Sequence, residues 1–252
     1  MFLENKVAIV TGAAQGIGRG IAEMFSAQGA VVVLCDINGQ GAKNAAAEIT
    51  EQTGVATEAF QVDVTKKSDV QQVVAAVVER FGRIDLLVNA AGIVKLALAV
   101  DMDEETWDSV MDVNVKGPFL FSQAVAKVMI EGGGGKIINI ASDSGKRPEL
   151  REAAYCSSKS ALIGLTRVLA LELGPYNINC NAICPGATDT PLLRQHYLTS
   201  EEKRREFIEA TALKRIATPE DIAKVALFFA SHLSDHVTGE IMLVTAGDLM
   251  GE

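Results

Sequence analysis

The stretch KVAIVTGAAQGIGRG, residues 6–20, decides how the rest of the chain is read. Residues 6–10 are an apolar run of strand length, and from residue 17 to residue 28 apolar side chains recur at helical spacing. Between them lies Thr11-Gly12-Ala13-Ala14-Gln15-Gly16-Ile17-Gly18, whose glycines let the backbone turn sharply. Strand, glycine turn and helix together make half of a unit that returns to a parallel neighbour.

Working outward, the alternation continues to the end of the chain. Further strands are predicted at residues 30–35, 57–62, 84–88, 136–140, 178–183 and 241–244. Several are near-continuous Val, Ile or Leu, which suits strands covered by helices on both faces. Helical spacing marks residues 43–51, 68–81, 106–130, 153–173 and 219–231. Thr218 before Pro219-Glu220-Asp221 is a helix start, and Gly174-Pro175 is a stop. No linker and no solenoid repeat interrupts the pattern. The prediction is an α/β fold: a single domain over residues 1–252 with a Rossmann-type, doubly wound parallel sheet of about seven strands flanked by helices. The glycine run at 132–135 precedes a strand, so it reads as a turn and not as a phosphate loop. Residues 189–212 are the least regular stretch, and they follow a strand's carboxyl end, where open α/β sheets bind ligands. They are a candidate substrate lid.

The bulk numbers exclude some partners. Of 252 residues 48% are hydrophobic and 22% charged, ordinary for a chain with a buried core. A net charge of −9 argues against nucleic acid, which requires a basic stripe. No apolar stretch reaches spanning length and no signal-peptide core precedes residue 6, so a cytoplasmic protein is expected, without a membrane partner. Cys35, Cys156, Cys180 and Cys184 read as reduced thiols, most of them in or beside apolar runs. His196, His232 and His236 make no metal pattern, so no metal is predicted; His196 alone falls in the candidate lid, within reach of a substrate.

The residues at the strand ends carry the chemistry. The loop from Gly12 through Gln15, Gly16, Ile17 and Gly18 offers close backbone approach and a helix N-terminus to a pyrophosphate. The second strand ends at Asp36, 18 residues after Gly18, where a carboxylate can accept from both hydroxyls of an adenosine ribose. It would also repel a ribose phosphate. Neither Ile37 nor Gln15 is basic, and Arg19 is the one cation nearby, so NAD is the predicted cofactor over NADP.

The spacing of Thr11–Gly18 resembles the TGxxxGxG loop of the short-chain dehydrogenase/reductase family, and the resemblance runs essentially the full length. Asp63-Val64 resembles the family's adenine contact. Asn89-Ala90-Ala91-Gly92 resembles the motif that steadies the sheet and lines the cofactor. Pro185-Gly186-Ala187-Thr188-Asp189-Thr190 resembles its PG loop, which implies that the Thr188 backbone and the Thr190 hydroxyl hold the carboxamide. Singly these have ordinary readings: Asp63 as a turn former, Asn89 as a strand-end cap, Pro185-Gly186 as a plain turn.

Tyr155-Cys156-Ser157-Ser158-Lys159 places a phenol and an ammonium at i and i+4, on one helix face and about 6 Å apart at Cβ. A free phenol has a pKa of roughly 10, and a fixed cation beside it favours the phenolate. The pair could equally be a solvated one. Ser142, 13 residues before Tyr155, resembles the family hydroxyl that holds the substrate oxygen together with the tyrosine. By the same resemblance Lys159 donates to the nicotinamide ribose. Asn114 resembles the fourth member, whose backbone carbonyl anchors a proton-relaying water; a capping or kink role is compatible. The implied reaction is hydride transfer between NAD and a secondary alcohol or ketone, with Tyr155 as acid/base.

The segment between Ser142 and Tyr155 is unusually charged, and Arg194, Gln195, His196 and Tyr197 add polarity from the lid. A small polar substrate is expected: a polyol, sugar or hydroxy acid. A 3-oxoacyl-carrier reductase is the alternative enzyme, and a non-catalytic NAD sensor the alternative of another class. The resemblance implies a homotetramer, although Val244-Thr245-Ala246-Gly247 departs from the family's usual turn after the last strand; a homodimer is the other possibility.

Overall fold

The computed structural model describes residues 1–250. Seven strands run β1 (Val7–Thr11), β2 (Val31–Asp36), β3 (Thr57–Gln61), β4 (Leu86–Asn89), β5 (Gly135–Ile140), β6 (Ile178–Pro185) and β7 (Ile241–Val244). They form one sheet in the order β3-β2-β1-β4-β5-β6-β7, and every pair is parallel. The helices are α1 (Gly16–Ala27), α2 (Gly39–Thr53), α3 (Lys67–Phe81), α4 (Glu104–Met111), α5 (Gly117–Glu131), α6 (Ala153–Leu173), α7 (Pro191–His196), α8 (Glu201–Ala210) and α9 (Pro219–Ala230).

Period-two alternation within single strands builds both cores. In β1, Ala8 and Val10 face a cluster with Ile21 and Phe25 of α1, Ile49 of α2 and Phe229 of α9. Val7 and Ile9 face the other side, with Val73 and Val77 of α3, Phe121 of α5 and Leu169 of α6. A strand buried on both faces cannot alternate apolar with polar, which is why its sequence is a continuous apolar run.

Three expectations are corrected. The helix expected over 106–130 is broken: a π turn at Asp112–Lys116 separates α4 from α5. Pro118 stands in the first turn of α5. It has no N–H for the carbonyl of Asn114 four residues back, so a regular α-helix cannot run through this point. The helix expected at 43–51 begins four residues earlier, because the Asn38 side chain accepts from Gly41 N at 3.0 Å and caps it. The irregular stretch at 189–212 is largely helical. Thr190 caps α7 by accepting from Leu193 N, and Ser200 caps α8 by accepting from Lys203 N. The Thr218–Asp221 capping box starts α9 where expected.

Chain order reverses at β1: β2 lies on one side and β4 on the other. Both crossovers lead away from this line, so a crevice opens above the carboxyl ends of β1 and β4. Gly18 sets how closely α1 approaches it, since a Cβ there would collide with the carbonyl oxygen of Gly12. Gly18 is held in α1, and the colliding Gly12 atoms are backbone directly after β1. Gly18→Ala is therefore expected to destabilise by about 1–3 kcal/mol, the usual cost of overpacking. A thermal melt that leaves the midpoint unmoved would show that α1 can shift away.

Candidate active site

One cleft of 520 Å³ runs across the carboxyl ends of the strands, from the Gly12–Gly18 loop to the wall beside Tyr155. That volume falls within the range of about 300–1,000 Å³ common to ligand pockets. Thr11 joins the two strands that flank it. Its hydroxyl accepts from Ala90 N at 3.0 Å and Ala91 N at 3.1 Å. Gly12 has φ +63°, and a Cβ there would lie 2.8 Å from Ala91 backbone, so only glycine allows this approach.

At the nucleotide end the cleft is lined by Gly12, Gln15, Gly16, Ile17, Gly18, Asp36 and Ile37, followed by Asp63, Val64, Ala90 and Gly92. Asp36 is fixed by its own backbone contacts, accepting from Ala14 N at 3.0 Å and Asn38 N at 2.9 Å. Arg19 does not line the cleft: its guanidinium is engaged by Glu23 and Glu48. Pro185, Gly186, Thr188 and Thr190 line the opposite wall. The Thr190 hydroxyl accepts from Leu193 N at 3.2 Å, which leaves its proton free to donate.

Asn89 lies elsewhere. It is 2% exposed and does not line the cleft. Its side-chain amide donates to Asn139 Oδ1 at 2.8 Å and Ser122 Oγ at 3.2 Å, beneath the crevice. Its side chain thus joins β4, β5 and α5, while Ala90, Ala91 and Gly92 line the cleft. Asn114 is also fully buried behind the wall. Its side chain brackets the Ile93 backbone, accepting from Ile93 N and donating to Ile93 O, each at 2.9 Å, and also donates to Ser158 Oγ. A Cβ on Gly92 would lie 3.4 Å from Asn114 Oδ1 and 3.5 Å from Lys159 Nζ, so both side chains reach this glycine.

Ser142, Tyr155 and Lys159 come together on the cleft. Ser142, two residues beyond β5, accepts from Ser144 N at 3.2 Å and donates to Asp143 Oδ1 at 3.0 Å. Tyr155 and Lys159 occupy one face of α6, with Lys159 Nζ 5.6 Å from the phenol ring centre. Lys159 is 4% exposed and donates to the Ile140 carbonyl at 2.8 Å. Burial pulls its pKa down to about 8, weakly opposed by Cys184. Burial pushes the Tyr155 phenol up; the Ser142 hydroxyl works against this, and the carboxylates of Glu152 and Asp143 add to it. The phenol is thus held above its ordinary value, not below it as a neighbouring cation alone would hold it. Burial works against the charged form of both groups.

The substrate side differs from the expectation in which residues face inward. Of the four polar lid residues only Tyr197 lines the cleft; Arg194, Gln195 and His196 do not. Arg194 is instead held by Asp189 at 2.6 Å. Leu192, Leu193 and Phe207 add apolar side chains from residues 189–212 to the lining. Sequence reading missed Asp248, which reaches back from beyond β7 to Arg147 at 2.7 Å. No local motif marks it.

A family model described as enoyl-(acyl carrier protein) reductase matches residues 12–248. The chain is 42% identical to the NAD-dependent glycerol dehydrogenase of Listeria innocua over 97% of this chain and 94% of that one. It is also 42% identical to the galactitol 2-dehydrogenase of Agrobacterium fabrum, over 99% and 100%. Among solved structures, a short-chain type dehydrogenase/reductase from Mycobacterium marinum superposes with a TM-score of 0.93 at 31% identity, covering 99% of this chain and 98% of that one.

The buried lysine offers a direct check of the electrostatics. With all lysine ε-carbons labelled, magnetic resonance of the cofactor-free protein should show one lysine titrating near pH 8, and Lys159→Met should remove it. Titration of Lys159 together with the surface lysines would contradict the burial account. The sequence, the sheet and the constellation of Ser142, Tyr155 and Lys159 place the chain in the short-chain dehydrogenase/reductase family, and it is an oxidoreductase that acts on CH–OH groups with a nicotinamide cofactor.

Proposed function

We propose that the enzyme is an NAD-dependent dehydrogenase of small neutral polyols. The observation that carries the substrate class is the charge of the wall around Tyr155. Asp143, Glu149, Glu152 and Asp248 line it, against Arg147 and Lys159. Arg147 is already surrounded by carboxylates: Asp248 at 2.7 Å, Glu149 at 3.4 Å and Asp143 at 3.9 Å. A hydroxy acid would bring a further negative charge to this wall and find no free cation. A neutral, hydroxyl-rich molecule would find acceptors. Similarity to enzymes named for glycerol and galactitol supports the same reading.

For the cofactor, Asp36 supports NAD. A ribose phosphate would meet its carboxylate, Ile37 is an exposed apolar residue, and Arg19 is occupied by two glutamates. Bound NAD would supply the hydride acceptor at its nicotinamide ring. The residues proposed to hold it are Gly12, Gln15, Gly16, Ile17, Gly18, Asp36, Ile37, Asp63, Val64, Ala90, Gly92, Pro185, Gly186, Thr188 and Thr190, together with Tyr155 and Lys159.

The chain's own share of the chemistry is to hold one oxygen and move one proton. Ser142 and Tyr155 present two hydroxyls to the substrate oxygen. In reduction the neutral phenol of Tyr155 gives its proton to that oxygen; in oxidation its oxygen takes the proton back. Asn114 acts by fixing the Ile93 backbone and, through Ser158, the turn of α6 that carries Tyr155. The neutral phenol is the form needed for reduction, and burial favours it. Carbonyl reduction is therefore expected to hold up at lower pH, while alcohol oxidation climbs through the alkaline range, both read as kcat/KM. An oxidation profile flat across that range would count against Tyr155 as the base.

Tyr155→Phe is expected to lower turnover by about a hundredfold or more, as loss of a general acid–base group does, while NADH binding measured by fluorescence persists. The substrate reading is tested on a panel of polyols, sugars, hydroxy acids and hydroxysteroids. Turnover of hydroxysteroids or hydroxy acids without polyols would reject it. The apolar side chains from residues 189–212 and the family model's carrier-protein description favour a second reading, reduction of a 3-oxoacyl thioester. NADPH-dependent turnover of an acetoacetyl thioester in preference to polyol oxidation would establish that one. Residues 189–212 are read as the substrate lid. No described helix is long and apolar enough to cross a membrane, and a cytoplasmic site of action fits. Val168 and Leu171, exposed on α6, suit the contact of a homotetramer, which light scattering would test.

A further inference from the structure

Glu152 is a carboxylate in an unusual position. It precedes the first residue of α6 and its side chain makes no capping hydrogen bond, so both carboxylate oxygens are left for other partners. It is 3% exposed, and it lines the cleft beside Tyr155. Burial works against its ionisation, and the hydroxyls of Tyr197 and Ser144 work in its favour.

Two further observations place it toward the substrate. The residue before it, Arg151, has φ +68°, a conformation that costs a side-chain-bearing residue of order 1–3 kcal/mol. That backbone is secured by Ala97, whose N–H donates to the Arg151 carbonyl at 2.9 Å. Strain of this kind is kept where the surroundings enforce it, and here it brings a carboxylate into the cleft. The second observation is the partner. The Tyr197 hydroxyl, at the end of α7, donates to Glu152 Oε1. The Tyr197 ring packs edge-on against Phe207 of α8, with centroids 6.4 Å apart. Both lid helices thus converge on this one carboxylate.

We propose that Glu152, held by Tyr197, accepts a hydrogen bond from a hydroxyl on the carbon next to the reacting one, so that the site selects vicinal diols and α-hydroxy ketones. The inference rests on the polyol reading and sharpens it. A carboxylate has about four acceptor positions, and Tyr197, Ser144 and the Cys156 thiol at 3.8 Å provide at most three donors. Ser142 and Tyr155 hold the reacting oxygen. Glu152 stands three residues before Tyr155 at the start of the same helix, and both line the cleft with Ser142. A substrate without the second hydroxyl would leave a buried carboxylate short of a donor, which is how polar pockets reject deoxygenated analogues.

The test compares hydroxyacetone with acetone, read as NADH consumption. The wild-type enzyme should favour hydroxyacetone in kcat/KM, and Glu152→Gln should shrink that ratio by roughly tenfold or more, since the acceptor is charged. Tyr197→Phe should shrink it in the same direction by less, through a loosened carboxylate. NADH binding by fluorescence shows that each variant is folded; if Glu152→Gln does not bind, the ratio for Tyr197→Phe decides. Equal losses on both ketones would mean that the carboxylate only fastens the lid, and the proposal falls. A wild-type enzyme that turns over acetone as well as hydroxyacetone would overturn the polyol reading itself, a result separable from the first.

Discussion

The hydroxyl of Thr11 binds the two halves of the sheet at the point where its winding reverses. By accepting from Ala90 and Ala91 it draws the end of β4 against the end of β1. The glycine turn must then pass within contact distance of the Ala91 backbone, and Gly12 is the residue that fits. From this single tie follow the width of the crevice and the direction in which α1 leaves it. Beneath it, Asn89 and Asn139 carry the same joint down between β4 and β5, and Thr166 on α6 accepts from Asn139 at 2.9 Å. The helix bearing Tyr155 is thereby hydrogen-bonded into the floor below the nucleotide crevice.

The reacting end depends on a different balance. Lys159 and Tyr155 are both withdrawn from water, and burial works against the charged form of each. A phenol next to a solvated ammonium would be a simple acid–base pair. Here the ammonium is instead satisfied by the Ile140 carbonyl, at the end of the strand that leads to Ser142. The lysine is therefore a joint between β5 and α6 as well as a charge, and the relative positions of the hydroxyl and the phenol depend on it.

Much of this architecture was legible in residue order because the sheet is buried on both faces. Apolar runs of strand length, several of them near-continuous Val, Ile and Leu, located all seven strands, and the Thr218–Asp221 cap located α9. What escaped were features decided by contacts distant in sequence. Apolar spacing runs straight through Pro118, so one helix was expected where a π turn stands. Arg194 and His196 are as polar as Tyr197, yet only the tyrosine turns inward, because α7 is oriented by its cap at Thr190. Asn89 belongs to a motif with a cofactor reputation, but its neighbours fill three dimensions and put it underneath. Asp248 sits 101 residues from its partner Arg147 and carries no local signature.

That last pairing has a consequence for the order in which the enzyme is made. Most of the nucleotide crevice is built from the chain up to Gly92, which is synthesised before the residues of the substrate wall. The wall against which a substrate rests draws on Arg147, on Tyr197 and finally on Asp248. A growing chain emerging from the ribosome thus has the strands and loop for half of its cofactor cradle long before it has a substrate pocket. The substrate wall is complete only once Asp248 has followed β7 to the sheet edge.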